Sequence, residues 1–265
     1  PLLGGASLPA EVGTLWAGEA EALFRARWKG LPEAARYGAS KPTLDRAEAL
    51  LAALKGQAGA FLSDVLPSSL EQRLRRVGSA LSAGLSAGRF DGVELERLRA
   101  EASRHLLADG NPERLEAVES ACRVARWVDT RESRAKGTTF FDLCRGFVDS
   151  SSFVDACRER LAIAESVSDL ANAYRALLAR LAELRDEENR DFGSELAKWC
   201  AAPGSSESEV PVEAVLHRII EPLAQEHPVL LVVLDGMSYG VFRALSPELA
   251  AAGWRELTPG NVGRR

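Results

Sequence analysis

Asp235 is the residue best placed to do chemistry in this sequence. It closes the run Val229-Leu230-Leu231-Val232-Val233-Leu234 and stands directly before Gly236. Consecutive aliphatic residues without alternation read as a strand buried on both faces, the pattern of a parallel sheet. In open α/β sheets ligands bind outside the carboxyl ends of the strands. A carboxylate there faces a site, and the glycine after it lets the chain turn sharply. Its oxygens suit a hard or borderline divalent cation. A second reading stands equally open: an acidic side chain ahead of a helix can simply cap that helix.

The other reactive side chains do not assemble into a recognisable frame. His105, His217 and His227 are not grouped with carboxylates at ligand spacing, and His217 reads as a packed or half-exposed residue beside an apolar helix face. Cys122, Cys144, Cys157 and Cys200 contain no CxxC pair and no Cys/His cluster with zinc spacing. They read as buried free thiols of a reducing compartment. Ser238 lacks the GxSxG frame of a nucleophile elbow. Met237 stands where a haloacid-dehalogenase-like phosphatase needs a second aspartate. Lys136-Gly137-Thr138 has the wrong order for a phosphate loop, and DGMSYG does not supply GxGxxG. Arg73, Arg75 and Arg76 form a short basic run that reads as a solvated helix face.

The elements around these residues are mostly helical by pattern. Glu19 to Lys29 carries Leu23, Phe24 and Trp28 at helical spacing. Thr43 after Pro42 predicts a cap for a helix bearing Leu44, Ala47, Leu51 and Leu54, with Gly56 as its stop. Ser69 with Gln72 and Asp91 with Glu94 read as capping boxes. Leu70, Leu74, Val77, Leu81 and Leu85 follow the first, and Leu95, Leu98, Ala102 and Leu106 the second. Asn111-Pro112 opens a helix that turns Leu115, Val118, Cys122, Ala125 and Val128 inward. After a polar break over Arg131 to Thr138, Phe140 to Phe147 reads as a short helix, and Ser152 to about Cys200 as a long helical region in two pieces.

APGSSESEVP, Ala202 to Pro211, is polar, rich in Gly and Ser, and bounded by prolines, which predicts a linker. Beyond it, Val212 to Leu223 reads as a helix, Val229 to Leu234 as a strand, Ser238 onward as a helix closed by Gly253, and Trp254 to Leu257 as a second strand. The expected organisation is a helical region over 1–201, a linker over 202–211, and over 212–265 the first αβαβ elements of an incomplete α/β domain. Such a sheet needs more strands than this segment supplies. The chain therefore reads as part of a larger cytoplasmic protein. Among 265 residues no apolar stretch approaches the ~20 that cross a bilayer. A net charge of −5 argues against a nucleic-acid binder.

The segment PVEAVLHRIIEPLAQEHPVLLVVLDGMSYGVFRALSPELAAAGWREL resembles PglZ, the alkaline-phosphatase-superfamily family of BREX phage-defence systems, and most closely its type 2, actinobacterial form. Upstream, LDRAEALLAALKGQAGAFLSDVLPSSLEQRL is similar to that family's N-terminal region. The resemblance implies a parallel-sheet fold with two divalent metals, usually zinc, at its carboxyl edge. Asp235 matches the first metal ligand. The Thr or Ser nucleophile and the other Asp and His ligands are implied beyond Arg265; Thr258, just before Pro259, is not assigned to that role. One carboxylate does not hold such a site, so tight metal binding and phosphoester hydrolysis are expected of the intact protein only. Implied partners are a DNA methyltransferase, an ATPase and a kinase. The alternative expectation is a non-catalytic helical module that docks these partners.

Overall fold

Ala and Leu lose little on entering a helix, and helices joined by short turns are what this chain builds. The computed structural model describes residues 10–131, 139–201 and 210–256. In chain order the helices are α1 (Ala10–Gly30), α2 (Glu33–Ala53), α3 (Pro67–Ala87), α4 (Gly92–Ser103), α5 (Pro112–Arg131), α6 (Phe140–Gly146), α7 (Phe153–Leu161), α8 (Ser168–Ala201), α9 (Glu221–Glu226) and α10 (Tyr239–Ala251). The chain divides into a first unit, which reaches to Thr130 and resumes over Arg160–Ala179, and a second, Arg131–Glu159 and from Arg180 onward.

In the first unit, α3 packs on α4 and on the tight turn Gln57–Leu62. Its apolar stripe, Leu70, Leu74, Val77 and Leu81, is fully buried, with Leu95, Leu98 and Ala102 of α4 and Val118, Cys122 and Ala125 of α5. Two glycines in and after α3 answer different needs, one a close approach and the other a left-handed backbone. A β carbon on Gly78 of α3 would lie 2.6 Å from the backbone nitrogen of Leu170 and 2.7 Å from the carbonyl carbon of Asp169, so the start of α8 rests directly on α3. Gly88 ends α3 at φ 69°, and the Arg89 N–H then reaches the Gly84 carbonyl at 3.1 Å, a left-handed cap of the Schellman kind.

Some expected punctuation is not used. α2 runs through Pro42 rather than starting at Thr43. α3 begins at Pro67, a residue type suited to the first helical position. Ser69 therefore lies inside the helix, where its hydroxyl donates to the Ser63 carbonyl, and Gln72 donates to the Gln57 carbonyl at 2.8 Å. By contrast Asp91 does cap α4, accepting from the N–H groups of Val93 and Glu94 at 3.1 and 3.0 Å.

The second unit is held by aromatic rings. Phe140 of α6 stacks on Trp199 of α8 with ring centres 5.2 Å apart, and Phe141 and Phe192 complete the cluster. A wide turn, Phe147–Ser151, follows α6, with the Ser152 N–H bonded to the Phe147 carbonyl at 2.8 Å. Phe147 also meets Tyr239 of α10, which in turn meets Phe242.

The α/β expectation for residues 212–265 is overturned: among the described residues there is no strand and no sheet, and hence no alkaline-phosphatase-like α/β domain. Val212–Ala214 and Leu216–Ile220 form helical turns that lead into α9. Val229–Leu234 has no regular structure, nor do Trp254–Glu256; Leu257 lies outside the described residues. The physical reason is that a helix pairs its backbone within itself, whereas a strand exists only through a second strand. Among the described residues no segment pairs with Val229–Leu234.

Candidate functional site

Asp235 sits with Gly236 in a turn between Leu234 and Ser238, and Gly236 takes φ 74°, the left-handed conformation that glycine adopts at little cost. Asp235 is exposed and has no hydrogen-bonding or ionic partner among the described residues. It does not cap α10. That role falls to Ser238, whose hydroxyl accepts from the Val241 N–H at 3.2 Å. The aliphatic run before Asp235 is exposed throughout, Leu230 at 85% and Val233 at 78%.

The histidines stand apart from Asp235 in role. His217 is exposed and faces Glu221, one turn along the same segment, at 3.4 Å. His227 is exposed at the end of α9. His105 is buried, and its ring is fully committed: Nδ1 accepts from the Leu107 N–H at 3.2 Å, which leaves Nε2–H to donate to the Leu66 carbonyl at 3.0 Å. Burial, assisted by the Arg73 charge, pushes the His105 imidazole down to about 4. It is a neutral structural histidine.

Among the described residues no group of three or more His, Cys, Asp or Glu side chains converges to hold a metal. A lone exposed carboxylate does not make a site of the usual four-coordinate kind. The described residues therefore do not fit a two-metal centre, and no reaction step is assigned through one. The expected nucleophile position beyond residue 265 and Thr258 lie outside the described residues.

The polar groups that the structure does bring together were not visible in the sequence. In the first unit Arg73, read as part of a solvated run, is buried. It donates to the carbonyls of Glu101 at 2.7 Å, Ser63 at 3.0 Å and Phe61 at 3.1 Å, and to the Asp64 carboxylate at 2.6 Å. Arg25 pairs with the same aspartate at 3.1 Å. Glu165, whose carboxylate-bearing side chain is covered, takes the Arg114 fork and the Val167 N–H at 2.7 Å. Burial alone would raise its carboxyl, but the Arg114 and Val167 hydrogen bonds outweigh that and hold it below the usual range. In the second unit Arg185 donates to the Ser151 carbonyl at 2.7 Å, to Asp155 at 3.1 Å and to Glu188 at 2.5 Å, and lies over the Phe147 ring at 5.5 Å. It ties the carbonyl of a wide turn to α7 and α8. Apart from Glu188, one turn along the same helix, these partners lie 30 or more residues from Arg185 in sequence, so no local motif announces them.

Cys122 and Cys157 are buried, Cys144 is half-buried and Cys200 is exposed. Burial pushes the Cys122 thiol up to about 11, which leaves it inert as a nucleophile. The constellations in both units tie elements together; none pairs a nucleophile with a base. No protein-family model matches this chain, and neither a curated protein nor a solved structure does so.

Proposed function

We propose that this chain is a component of a bacterial BREX anti-phage defence system, of the PglZ kind, and that its helices act there as an interaction module in the cytoplasm. The family reading rests on the segment from Pro211 through VLLVVLDGMS, which carries the resemblance. The docking role rests on one observation. Helix α1 turns Phe24 and Trp28 inward, and leaves Val12, Leu15, Trp16 and Leu23 exposed at helical spacing on its other face. Trp16 is 70% exposed. An apolar helix face of this kind seeks a protein partner, and the partners on this reading are the system's methyltransferase, ATPase and kinase. Among the described residues no helix is long and apolar enough to cross a membrane. Zinc-dependent phosphoester hydrolysis belongs, on the same reading, to the intact protein, with Asp235 contributing one ligand.

Co-expression of the tagged chain with the methyltransferase, ATPase and kinase of a type 2 system tests this. At least one should be retained on the tagged chain, and Trp16→Asp should release it while the helical circular-dichroism signal stays unchanged. Retention of none, or retention that ignores Trp16→Asp, rejects the docking role. The 265-residue chain should not hydrolyse a nitrophenyl phosphoester with added zinc. Hydrolysis that Asp235→Ala abolishes would move the chemistry into this chain.

A further inference from the structure

The first two helices meet the rest of their unit on polar ground. From Glu21 onward, the residues of α1 shielded from solvent are Glu21, Phe24, Arg25 and Trp28, at helical spacing, and two of the four carry charge. The Glu21 carboxylate accepts from the Ser63 hydroxyl at 2.6 Å and from the Asp64 N–H at 3.2 Å. Arg25 pairs with the Asp64 carboxylate at 3.1 Å and donates to the Asp64 carbonyl at 3.4 Å. From α2, the Glu48 carboxylate accepts from the Ser68 N–H at 2.8 Å, in the first turn of α3, where negative charge is favoured. Three charged side chains of the α1–α2 hairpin thus converge on the short segment Ser63–Ser68. The core holds the same segment without the hairpin's help. Arg73 donates to the Ser63 carbonyl at 3.0 Å and to the Asp64 carboxylate at 2.6 Å, the Leu106 N–H to the Asp64 carbonyl at 2.8 Å, and His105 to the Leu66 carbonyl at 3.0 Å.

We propose that α1–α2 is a detachable hairpin, clasped onto Ser63–Ser68 by Glu21, Arg25 and Glu48, which opens as one body while α3, α4 and α5 stay folded. The two seams answer to different forces. α3 meets its neighbours through Leu74, Val77 and Leu81, all fully buried, and apolar burial is not screened by salt. The clasp is made of charge-assisted hydrogen bonds. Its groups keep access to water, the Arg25 and Asp64 side chains being 31% and 40% exposed, so salt weakens it. When the clasp opens, Arg73, Leu106 and His105 still fix Ser63–Ser68 on the core. The two helices stay joined through their own turn, where the Leu31 N–H donates to the Trp28 carbonyl and Arg36 to the Leu31 carbonyl, each at 3.2 Å. Trp28 and Leu44 are the apolar residues that α1 and α2 bury, few enough for a local opening far below global unfolding. The inference depends neither on the defence-system reading above nor on what α1 docks against.

Native-state hydrogen exchange of the 265-residue chain, read amide by amide where it reports the opening equilibrium, tests this. The inner amides of α1 and α2 should share one opening and exchange faster than those of α3, α4 and α5. Raising NaCl from about 0.05 M to about 1 M should speed hairpin exchange about fivefold and leave the core amides as they are. Glu21→Ala and Glu48→Ala should each speed it about tenfold, in both helices, including the one that carries no substitution. Glu48→Gln, which keeps an acceptor oxygen, should recover part of that loss. Three results overturn the proposal: hairpin amides that exchange together with the core, exchange indifferent to salt and to both alanine variants, or an effect confined to the substituted helix, which is fraying rather than the opening of one body.

Discussion

Leu74 and Leu230 have the same side chain and opposite fates. Leu74 lies on α3 in the first unit and is 0% exposed, whereas Leu230 lies in the second unit and is 85% exposed. Both occur in apolar sequence, so hydrophobicity does not separate them. What separates them is where their backbone hydrogen bonds go. α3 pairs its own N–H and C=O groups and then offers a stripe to α4; Val229–Leu234 has to borrow a partner strand before it can bury anything. The comparison breaks if the two leucines respond alike to truncation. Leu74→Ala should destabilise the protein by about 3 kcal/mol, the usual cost of a cavity at a fully buried leucine. Leu230→Ala should stay within about 0.5 kcal/mol, as exposed positions do. Chemical denaturation of both variants, followed by circular dichroism, measures the difference.

The same contrast explains what could be read from the sequence. The inward positions of α3, α4 and α5 follow from a period of 3.6, which is a property of the segment itself; Leu70, Leu98 and Val118 are buried as their spacing implies, while Leu85, Leu115 and Val128, nearer the helix ends, are half-buried. Asp91 and Pro112 also start their helices where local rules put them. The expectation for Val229–Leu234 needed a long-range partner and failed for that reason. Ser69 and Gln72 matched a capping box by spacing, yet Pro67 starts the helix earlier and their hydrogen bonds go to Ser63 and Gln57. Arg73 was indistinguishable from Arg75 and Arg76 in a basic run; only the fold turns it inward onto Asp64. The helix from Ser238 begins where the pattern implies, whereas the exposure of Asp235 does not follow from its place at the end of an apolar run.

Acid should sharpen the distinction between a structural and an exposed histidine. The His105 imidazole is pushed down to about 4 in the folded protein, from an ordinary value of 6.5. Between those values the unfolded chain takes up a proton that the folded chain refuses. Stability is therefore intact above about pH 6.5 and falls as pH drops through about 4, by up to about 1.4 kcal/mol per pH unit. Glu165, held below the usual carboxylate range, adds a further loss only at lower pH. Denaturation midpoints between pH 7 and pH 4 measure the slope. His105→Gln should flatten it, whatever that change does to the neutral baseline. An unaltered slope in His105→Gln would remove the buried histidine as its cause.

The smallest effect tests whether backbone conformation alone matters at the end of α2. Lys55 takes φ 55°, and among the described residues it is the one non-glycine with positive φ. It occupies the place after the Leu54 cap where helices most often carry glycine. The Gly56 N–H bonds back to the Leu51 carbonyl at 2.9 Å across it, so the left-handed turn is required by the helix end. A lysine there gives up about 1 kcal/mol relative to glycine through the close approach of its β carbon to the carbonyl oxygen. Lys55→Gly should therefore stabilise the protein by about 0.5 to 1 kcal/mol, less than the strain itself because glycine also gains freedom in the unfolded chain. At Gly56 the backbone is ordinary, φ −92°, and the closest atom a β carbon would meet is the adaptable Leu51 Cδ1 at 2.9 Å, so Gly56→Ala should change stability by less than about 0.5 kcal/mol. If Lys55→Gly is destabilising, the turn after α2 is not held by its backbone hydrogen bonds, and the lysine contributes something that its conformation does not account for.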